Sequence, residues 1–291
     1  MCGFVGGSDP DWRYEAALET IRHRGPDAGG LRLEGPIKVG FRRLSIIDLA
    51  EAANQPFVAA DGETWICFNG EIYGYLRLRT ELEQLGHAFR TQSDTEVLLE
   101  AYLEWGEDFV EHIDGMFAIA IWDARDKALR LYRDRPGIKP LYYYYDGRRF
   151  AFASELKAIE AALDKQDLAT DHTALYDFLG YRYVPAPKTL YRNCFKLLPG
   201  HAIRFDPAAG QASEPRPYWQ LPAGLPRDSL TVDAAAEELR HLIDESVRDQ
   251  MIADVAVGFF LSGGIDSSVV VAAAKAAGGN VETFSIGFDS D

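Results

Sequence analysis

The sequence has few cysteines, no excess of positive charge and no long apolar run. Its three cysteines, Cys2, Cys67 and Cys194, lie far apart and lack the CxxC spacing of a zinc site, so we expect free thiols in a reducing cytoplasm. The 45 acidic residues outnumber the 30 basic ones, which disfavours nucleic acids and acidic membranes as partners. No apolar run approaches the ~20 residues of a membrane span, and the N-terminus lacks the pattern of a signal peptide.

What is present suggests two folded units, because 291 residues with 47% hydrophobic content exceed the needs of one typical domain. Short alternating runs with hairpin signals, interrupted by helical periodicity at residues 12–22, 75–85 and 94–105, predict an α+β domain with antiparallel sheet over residues 2–205. A proline-rich stretch then predicts a linker over residues 206–230.

The last part of the chain, residues 231–291, has a different pattern. It reads as a helix at 232–251, a buried strand at 255–261, a helix at 267–277 and a second buried strand at 281–288. This order predicts a βαβ unit, which is the beginning of an α/β domain with a parallel sheet.

Cys2 directly follows the initiator methionine. Removal of Met1 would leave a residue with both a thiol and a free α-amine, and that amine can serve as the general base for its own nucleophile. Taken alone, an ordinary second-residue cysteine is the better interpretation.

Four further segments each have an ordinary explanation and a functional one. Residues 24–27 are either a purely structural turn or a constrained turn that presents a cation and a carboxylate. Residues 42–48 are either a solvated charged edge or an arginine fork that binds a carboxylate. Asn69 and Gly70 fit a hairpin or a pair of donors for an oxyanion. Residues 93–96 form a helix cap on the simpler view. The ordinary explanations become improbable when all of these segments occur together and in this order.

The segments are RHRGPD, RRLSIIDL, QPF, FNGEIY, SDTEVLL, GMFAIAIWD, RDRPGIKPLYY and FASELKA. With them, residues 2–157 resemble the glutaminase domain of the class II glutamine amidotransferases, a family of N-terminal-nucleophile hydrolases, in its asparagine-synthetase branch. The resemblance implies a four-layer αββα fold. Residues 73–75 depart from the family's commoner Tyr-Asn, which we interpret as a local turn variant.

The resemblance also implies roles for individual residues. Cys2 would attack the side-chain amide of glutamine, and Asn69 and the Gly70 N–H would stabilise the oxyanion. Arg43 would bind the α-carboxylate, while Glu71 and Asp94 would hold the α-amine. The full set of expected glutamine-binding residues is Arg43, Leu44, Ser45, Ile46, Ile47, Asn69, Gly70, Glu71 and Asp94.

A second motif, SGGIDSS, lies between the predicted strand and helix near the end of the chain, where backbone donors suit an anion. It lacks the lysine of a Walker loop and resembles the pyrophosphate-binding loop of ATP pyrophosphatases, in which ATP adenylates a carboxylate. Asp266 is a candidate Mg²⁺ ligand or a helix cap. We expect no tightly bound organic cofactor. The implied ATP-binding residues are Leu261, Ser262, Gly263, Gly264, Asp266, Ser267, Ser268 and Ile286.

Three functions remain open. Ammonia from the Cys2 site would convert aspartate to asparagine, or would amidate another carboxylate such as a sugar acid of a surface polysaccharide. Alternatively, the protein is a glutaminase only, or a non-enzymatic partner subunit. Members of the family that this sequence resembles continue beyond the predicted strand at 281–288. We therefore expect a fragment, a truncated product or half of a split enzyme. Its expected partner is a second copy or a separate C-terminal synthetase half.

Overall fold

The computed structural model describes residues 1–224, 231–278 and 280–287, and it divides the chain into two compact units, Met1–Gln220 and Leu221–Asp291. The strands of the first unit are β1 (Gly3–Gly7), β2 (Ala28–Arg32), β3 (Lys38–Arg43), β4 (Phe57–Val58), β5 (Trp65–Tyr73), β6 (Asp114–Asp123), β7 (Ala128–Arg133), β8 (Tyr142–Tyr145), β9 (Phe150–Ala153), β10 (Cys194–Lys196), β11 (His201–Asp206), β12 (Gln211–Ala212) and β13 (Arg216–Pro217). Its helices are α1 (Tyr14–Thr20), α2 (Tyr75–Gln84), α3 (Asp94–Trp105), α4 (Leu156–Ala162) and α5 (His172–Tyr181).

The strands of the first unit form two antiparallel sheets, as the hairpin signals predict. One sheet has the order β10-β8-β9-β1-β3-β2, and the other has the order β12-β11-β7-β6-β5-β4 with β13 paired to β11. Strand β1 therefore lies inside its sheet, between β9 and β3. This position brings the start of the chain into the middle of the fold.

The sheets pack face to face, and helices cover both outer faces. Side chains such as Phe4, Phe41 and Trp65 fill the core between the sheets. On the next residue of β1, Val5 points the other way and packs with Ala17 and Ile159 of α1 and α4, because neighbouring strand residues face opposite sides. On the outer face of the other sheet, helix α3 packs against β5 and also contacts α2. The four-layer αββα arrangement is confirmed.

The first unit extends beyond its expected end at residue 205. Strands β12 and β13 both pair with β11, and the Tyr218 hydroxyl donates to the Arg133 carbonyl at 2.6 Å. Prolines are tolerated in such short edge strands, where the missing N–H is not needed by a neighbour. The structure thus corrects the expected linker of residues 206–230: its first part belongs to the first unit, and residues 225–230 lie outside the described residues.

The second unit contains α6 (Val232–Gln250), β14 (Gly258–Phe260), α7 (Ile265–Ala276) and β15 (Glu282–Phe284). Strands β14 and β15 pair in parallel, as the βαβ prediction requires. The expectation that both strands are buried is wrong for the described residues, since Phe260 is 78% exposed and Phe284 is 53% exposed. The predicted strand end at Phe288 lies outside the described residues. None of the described helices has the length and apolarity needed to cross a bilayer.

Candidate active site

Cys2 immediately precedes β1, and its backbone is held by Arg24. The Arg24 Nε atom donates to the Cys2 carbonyl at 2.8 Å, and the guanidinium also donates to the Glu155 carboxylate at 2.9 Å. Burial opposes ionisation of Glu155, but hydrogen bonds from Arg24, Lys157 and His23 lower its pKa to about 2. The RHRGPD and FASELKA segments therefore act together to fix the nucleophile's backbone.

The sulfur of Cys2 lies against the backbone of Leu44. The Leu44 N–H donates to Sγ at 3.5 Å, and the thiol donates to the Leu44 carbonyl at 3.6 Å. Burial raises the pKa of the Cys2 thiol, while the Leu44 N–H and the N-terminal amine oppose that rise. A thiol whose pKa is raised needs a base to become a nucleophile.

Asn69 lies within β5, opposite Ala118 of β6. Its side chain is 1% exposed, and within the described residues neither its Nδ2 nor its Oδ1 has a hydrogen-bond partner. Such an orphaned buried amide is rare, because leaving it unpaired costs roughly 1–3 kcal/mol. The side chain is therefore available to a ligand in the cavity.

The next residue, Gly70, lies where the backbones of β5 and β6 come very close. A Cβ at this position would be 2.1 Å from the Met116 carbonyl oxygen and 2.8 Å from the Phe117 Cα. No side chain fits at this position, so a glycine is what allows β5 and β6 to approach this closely beside Asn69. Farther along, Gly74 has φ = 64° at the start of α2, which agrees with the turn variant expected there.

Gln55 was not among the expected site residues, yet it holds this end of β5. Its Nε2 atom donates to the Phe68 carbonyl and to the Thr95 hydroxyl, each at 3.2 Å, and its Oε1 accepts from the Phe68 N–H at 2.6 Å. These bonds connect β5 to the first turn of α3. The QPF segment thus positions the residue immediately before Asn69.

Glu71 and Asp94 supply the carboxylates of the site. Asp94 is 5% exposed and accepts from the Ile72 N–H at 3.3 Å. Burial raises the pKa of Asp94 to about 7, the Ile72 N–H opposes this, and the Glu71 carboxylate adds to it. Burial also raises the pKa of Glu71, against the effect of Lys139 and the N-terminal amine. Two close carboxylates with raised pKa values favour a cationic ligand between them.

Arg43 is buried at 5% exposure, and the loop that follows β3 wraps around its guanidinium. One terminal nitrogen donates to the Ala50 carbonyl at 2.9 Å and to Asn54 Oδ1 at 2.8 Å, and the other donates to the carbonyls of Ile47 and Asp48. The structure thus shows Arg43 organising its own loop. Its expected contact with a carboxylate stays a prediction.

These residues surround one cavity of about 220 Å³. That volume is below the ~300–1,000 Å³ typical of drug-sized ligands and suits a single amino acid. All the expected residues of the glutaminase site line it except Ser45, whose N–H instead donates to Asp27 at 2.9 Å. Lining residues that sequence reasoning missed are Met1, Gln55, Phe68, Ser93, Thr95, Met116 and Lys139.

The SGGIDSS motif lies in the second unit, between β14 and α7. The Ser262 and Ser267 hydroxyls are 3.0 Å apart, and the Ser262 N–H points to Ser267 Oγ at 3.3 Å. Gly263 has φ = 79°, and α7 begins after Gly264 without a side-chain cap. The loop therefore presents backbone N–H groups and hydroxyls at the start of a helix, as anion binding requires.

The other two expected nucleotide contacts, Leu261 and Ile286, lie at the ends of the paired strands β14 and β15. The Leu261 N–H donates to the Phe284 carbonyl at 2.9 Å, and the Ser285 hydroxyl donates to the Leu261 carbonyl at 2.6 Å. Ile286 is 76% exposed. Across the described ranges, no group of three or more His, Cys, Asp or Glu residues is placed to hold a metal ion, so Asp266 is a lone carboxylate. A lone carboxylate suits Mg²⁺ only together with phosphate oxygens.

Two family models match the chain. Residues 1–219 match the model described as the glutamine amidotransferase domain, and residues 238–291 match the model described as asparagine synthase. The first match contains the whole cavity, and the second contains the SGGIDSS loop.

Similar proteins agree with these matches. The chain is 40% identical over 298 residues to asparagine synthetase [glutamine-hydrolyzing] 1 of Bacillus subtilis, covering 99% of this chain and 46% of the relative. It is 37% identical to a putative asparagine synthetase [glutamine-hydrolyzing] 2 of Methanocaldococcus jannaschii, covering 93% of this chain and 56% of that protein. The chain thus spans about half the length of the curated relatives it matches.

A solved structure supports the fold. Glutamine phosphoribosylpyrophosphate amidotransferase from B. subtilis, complexed with ADP and GMP, matches with a TM-score of 0.56 at 17% identity, covering 97% of this chain and 65% of the other. At that identity the match concerns the fold alone.

Proposed function

This chain belongs to the glutamine amidotransferase domain family, and we propose from that premise that its Cys2 hydrolyses glutamine to glutamate and ammonia. The observation that carries the proposal is the buried amide of Asn69, which has no hydrogen-bond partner among the described residues and lines the same cavity as Cys2. A preorganised donor of this kind is what a developing oxyanion needs.

The proposed reaction begins after removal of Met1, which exposes the α-amine of Cys2. The amine takes the thiol proton as sulfur attacks the side-chain carbonyl carbon of glutamine. Asn69 Nδ2 and the Gly70 N–H stabilise the oxyanion, and the amine then gives its proton to the departing nitrogen, which leaves as ammonia. Water cleaves the resulting γ-glutamyl thioester, releasing glutamate and restoring the thiol.

The remainder of the cavity would bind the backbone groups of glutamine. Glu71 and Asp94 are the anions for its ammonium group, and Arg43 supplies positive charge for its carboxylate. Leu44, Ile46 and Ile47 lie on the same wall, where Leu44 also contacts the sulfur. Ser45 would act only indirectly, through its bond to Asp27.

Replacing the nucleophile tests this part of the proposal. In Cys2→Ala, we expect the release of glutamate from glutamine to fall to background, because no thioester can form. Cys194→Ala is the matched control, since Cys194 is fully enclosed and burial raises its pKa to about 12. Unchanged hydrolysis in Cys2→Ala would refute the proposal, and so would mass spectrometry showing that active protein retains Met1.

For the second unit, we propose that the SGGIDSS loop binds ATP, and that a carboxylate attacks the α-phosphorus, takes the whole AMP group as an acyl-adenylate and releases pyrophosphate. Ammonia would then replace AMP on the acyl group. The match to the asparagine synthase model supports aspartate as the acceptor, with asparagine as the product through β-aspartyl-AMP. Asp266 with the phosphate oxygens would hold Mg²⁺, which supplies charge neutralisation when bound. The three free cysteines fit a cytoplasmic enzyme.

Measuring pyrophosphate separates the acceptors. We test aspartate, a panel of sugar acids and other carboxylates in separate assays, and we expect ATP-dependent pyrophosphate release with aspartate. Release with a sugar acid alone would favour the polysaccharide alternative. The parallel pair β14–β15 is largely exposed, so we expect the chain by itself to hydrolyse glutamine without completing amidation. Asparagine formation by the purified chain would contradict that expectation.

A further inference from the structure

Lys139 is a buried cation of the cavity to which the reaction above assigns no role. It is 7% exposed and lines the cavity together with Met1 and Cys2. Across the part of the chain that the structure describes, its Nζ atom makes no hydrogen bond and no ion pair. The residue is enclosed while its ammonium has no fixed partner among the described residues of the cavity wall, so its charge is free to act on the groups that share the cavity.

The backbone at Lys139 is rigidly held. The Asp134 carboxylate is fully buried and accepts from the N–H groups of Phe117, Ile138 and Lys139 at 3.1, 2.7 and 2.9 Å. On the other side, Arg133 Nε donates to the Lys139 carbonyl at 2.8 Å. These bonds tie the segment to β6, the neighbour of the strand that carries Asn69. The position of Lys139 is thus set by the fold before any ligand enters.

The two arginines near Cys2 have their donors engaged. Arg24 donates to the Cys2 carbonyl and to Glu155, and Arg43 donates to four loop oxygens. Lys139 therefore differs from both, because its charge acts on the cavity without being committed to a hydrogen bond.

We propose that Lys139 is a positioning residue for the nucleophile, whose fixed ammonium favours the unprotonated N-terminal amine and the reactive form of the Cys2 sulfur. This inference rests on the proposed glutamine hydrolysis. Removal of Met1 moves the amine one residue along the chain, from the exposed Met1 to the half-buried Cys2 beside the same cavity.

The charges around these groups agree with this role. While Met1 is present, burial lowers the pKa of its α-amine most, Lys139 and Arg24 lower it further, and Cys2 and Asp27 raise it. Burial lowers the pKa of Lys139 most and Arg24 adds to that, while Glu71, Cys2 and Asp134 oppose the decrease. Glu71 keeps Lys139 charged against its burial, and the charged Lys139 in turn disfavours protonation of the amine.

The test is the pH profile of kcat/KM for glutamate release by the full chain. In Lys139→Met, loss of the cation raises the proton affinity of the amine, so the acidic limb should move to higher pH by about one unit. Lys139→Arg keeps the charge and should retain the wild-type limb. Lys165→Met, which removes an exposed lysine that does not line this cavity, is the matched control and should also retain it.

An unchanged limb in Lys139→Met would overturn the inference, and so would a raised KM with an unchanged limb, since that pattern means direct substrate binding. If Lys139→Met does not fold by circular dichroism, Lys139→Gln carries the same expectation. Should the wild type release no glutamate, the proposed function fails separately. The rate of Cys2 alkylation by iodoacetamide against pH then still decides, because its midpoint must rise in the neutral variant.

Discussion

The cavity around Cys2 and the SGGIDSS loop are both formed at strand ends, but they are held in different ways. In the cavity, Cys2 contacts Leu44, and Arg24 bonds Glu155, so residues far apart in the chain meet. In the loop, Ser262 contacts Ser267 and Ser268 bonds Gly264, all within a few residues. The first site depends on the complete tertiary fold, whereas the second is shaped by local geometry.

This difference shows which changes each site can tolerate. Apart from Met1, the residues that line the cavity are buried or half-buried, so their substitution should affect either catalysis or folding strongly. Residues of the loop are mostly exposed, so their substitution should affect ligand binding while leaving the rest of the chain folded.

The largest expected effect is on the oxyanion. Asn69→Ala should lower kcat for glutamate release by about 100- to 1,000-fold, which corresponds to the loss of one preorganised donor. Ser262→Ala in the loop is the matched control and should leave glutamate release unchanged. Steady-state kinetics measures both variants. Equal losses in the two would remove the distinction between the sites.

The next effect compares one glycine from each site. Gly70→Ala places a Cβ against the backbone of β6 and should lower the free energy of unfolding of the first unit by about 3 kcal/mol. Gly263→Ala meets no atom within 4 Å, so only its positive φ is unfavourable, by about 1–2 kcal/mol. Urea denaturation checks both: tryptophan fluorescence follows the first unit, which contains all five tryptophans, and circular dichroism also follows the helices of the second unit. A similar loss in the two variants would contradict the difference in packing.

The smallest effect is on pH dependence within the cavity. Because burial raises the pKa of Asp94 to about 7, its carboxylate becomes protonated below pH 7 and no longer attracts the ammonium of glutamine. We expect KM to rise as pH falls, by about tenfold for each unit below 7.

The titration of Asp94 also affects the stability of the folded protein, in the opposite direction. A raised pKa means that the folded state binds more protons than the unfolded state between the ordinary value of 3.8 and about 7, so the contribution of Asp94 to stability falls as pH rises through that window. Asp94→Asn should therefore raise the free energy of unfolding at pH 8 while weakening glutamine binding. The exposed Asp11→Asn is the control, and a KM independent of pH in the wild type would contradict the assignment.

Much of the first unit could be predicted from the sequence because its signals are local. Helix α3 begins and ends where the periodicity, Ser93 and Gly106 indicate. The helix cap predicted over residues 93–96 forms at Ser93, which accepts from the Thr95 N–H, whereas Glu96 accepts from the N–H groups of Arg90 and Thr91 and does not close back on Ser93. A buried carboxylate takes the nearest free N–H donors, and sequence spacing does not identify them.

The residues that sequence reasoning missed act through tertiary contacts. Lys139 and Gln55 stand inside recognised segments, but a lysine and a glutamine in such segments usually remain on the surface. Their burial depends on bonds to residues distant in the chain, with Asp134 holding the backbone of Lys139 and Phe68 of β5 pairing with Gln55, which no local pattern reveals. Likewise, the exposure of β14 and β15 depends on what covers a parallel sheet, whereas their apolar sequences indicate only that they suit burial.

The interior position of β1 has a practical consequence for handling the protein. Chain ends normally fray and accept added sequence, but here five consecutive residues pair with β3 and three of them also pair with β9. An affinity tag fused ahead of Cys2 would leave the strand in place but would block the α-amine of Cys2. We expect such a protein to fold without hydrolysing glutamine. Expression vectors for this chain should therefore carry their tags at the other end.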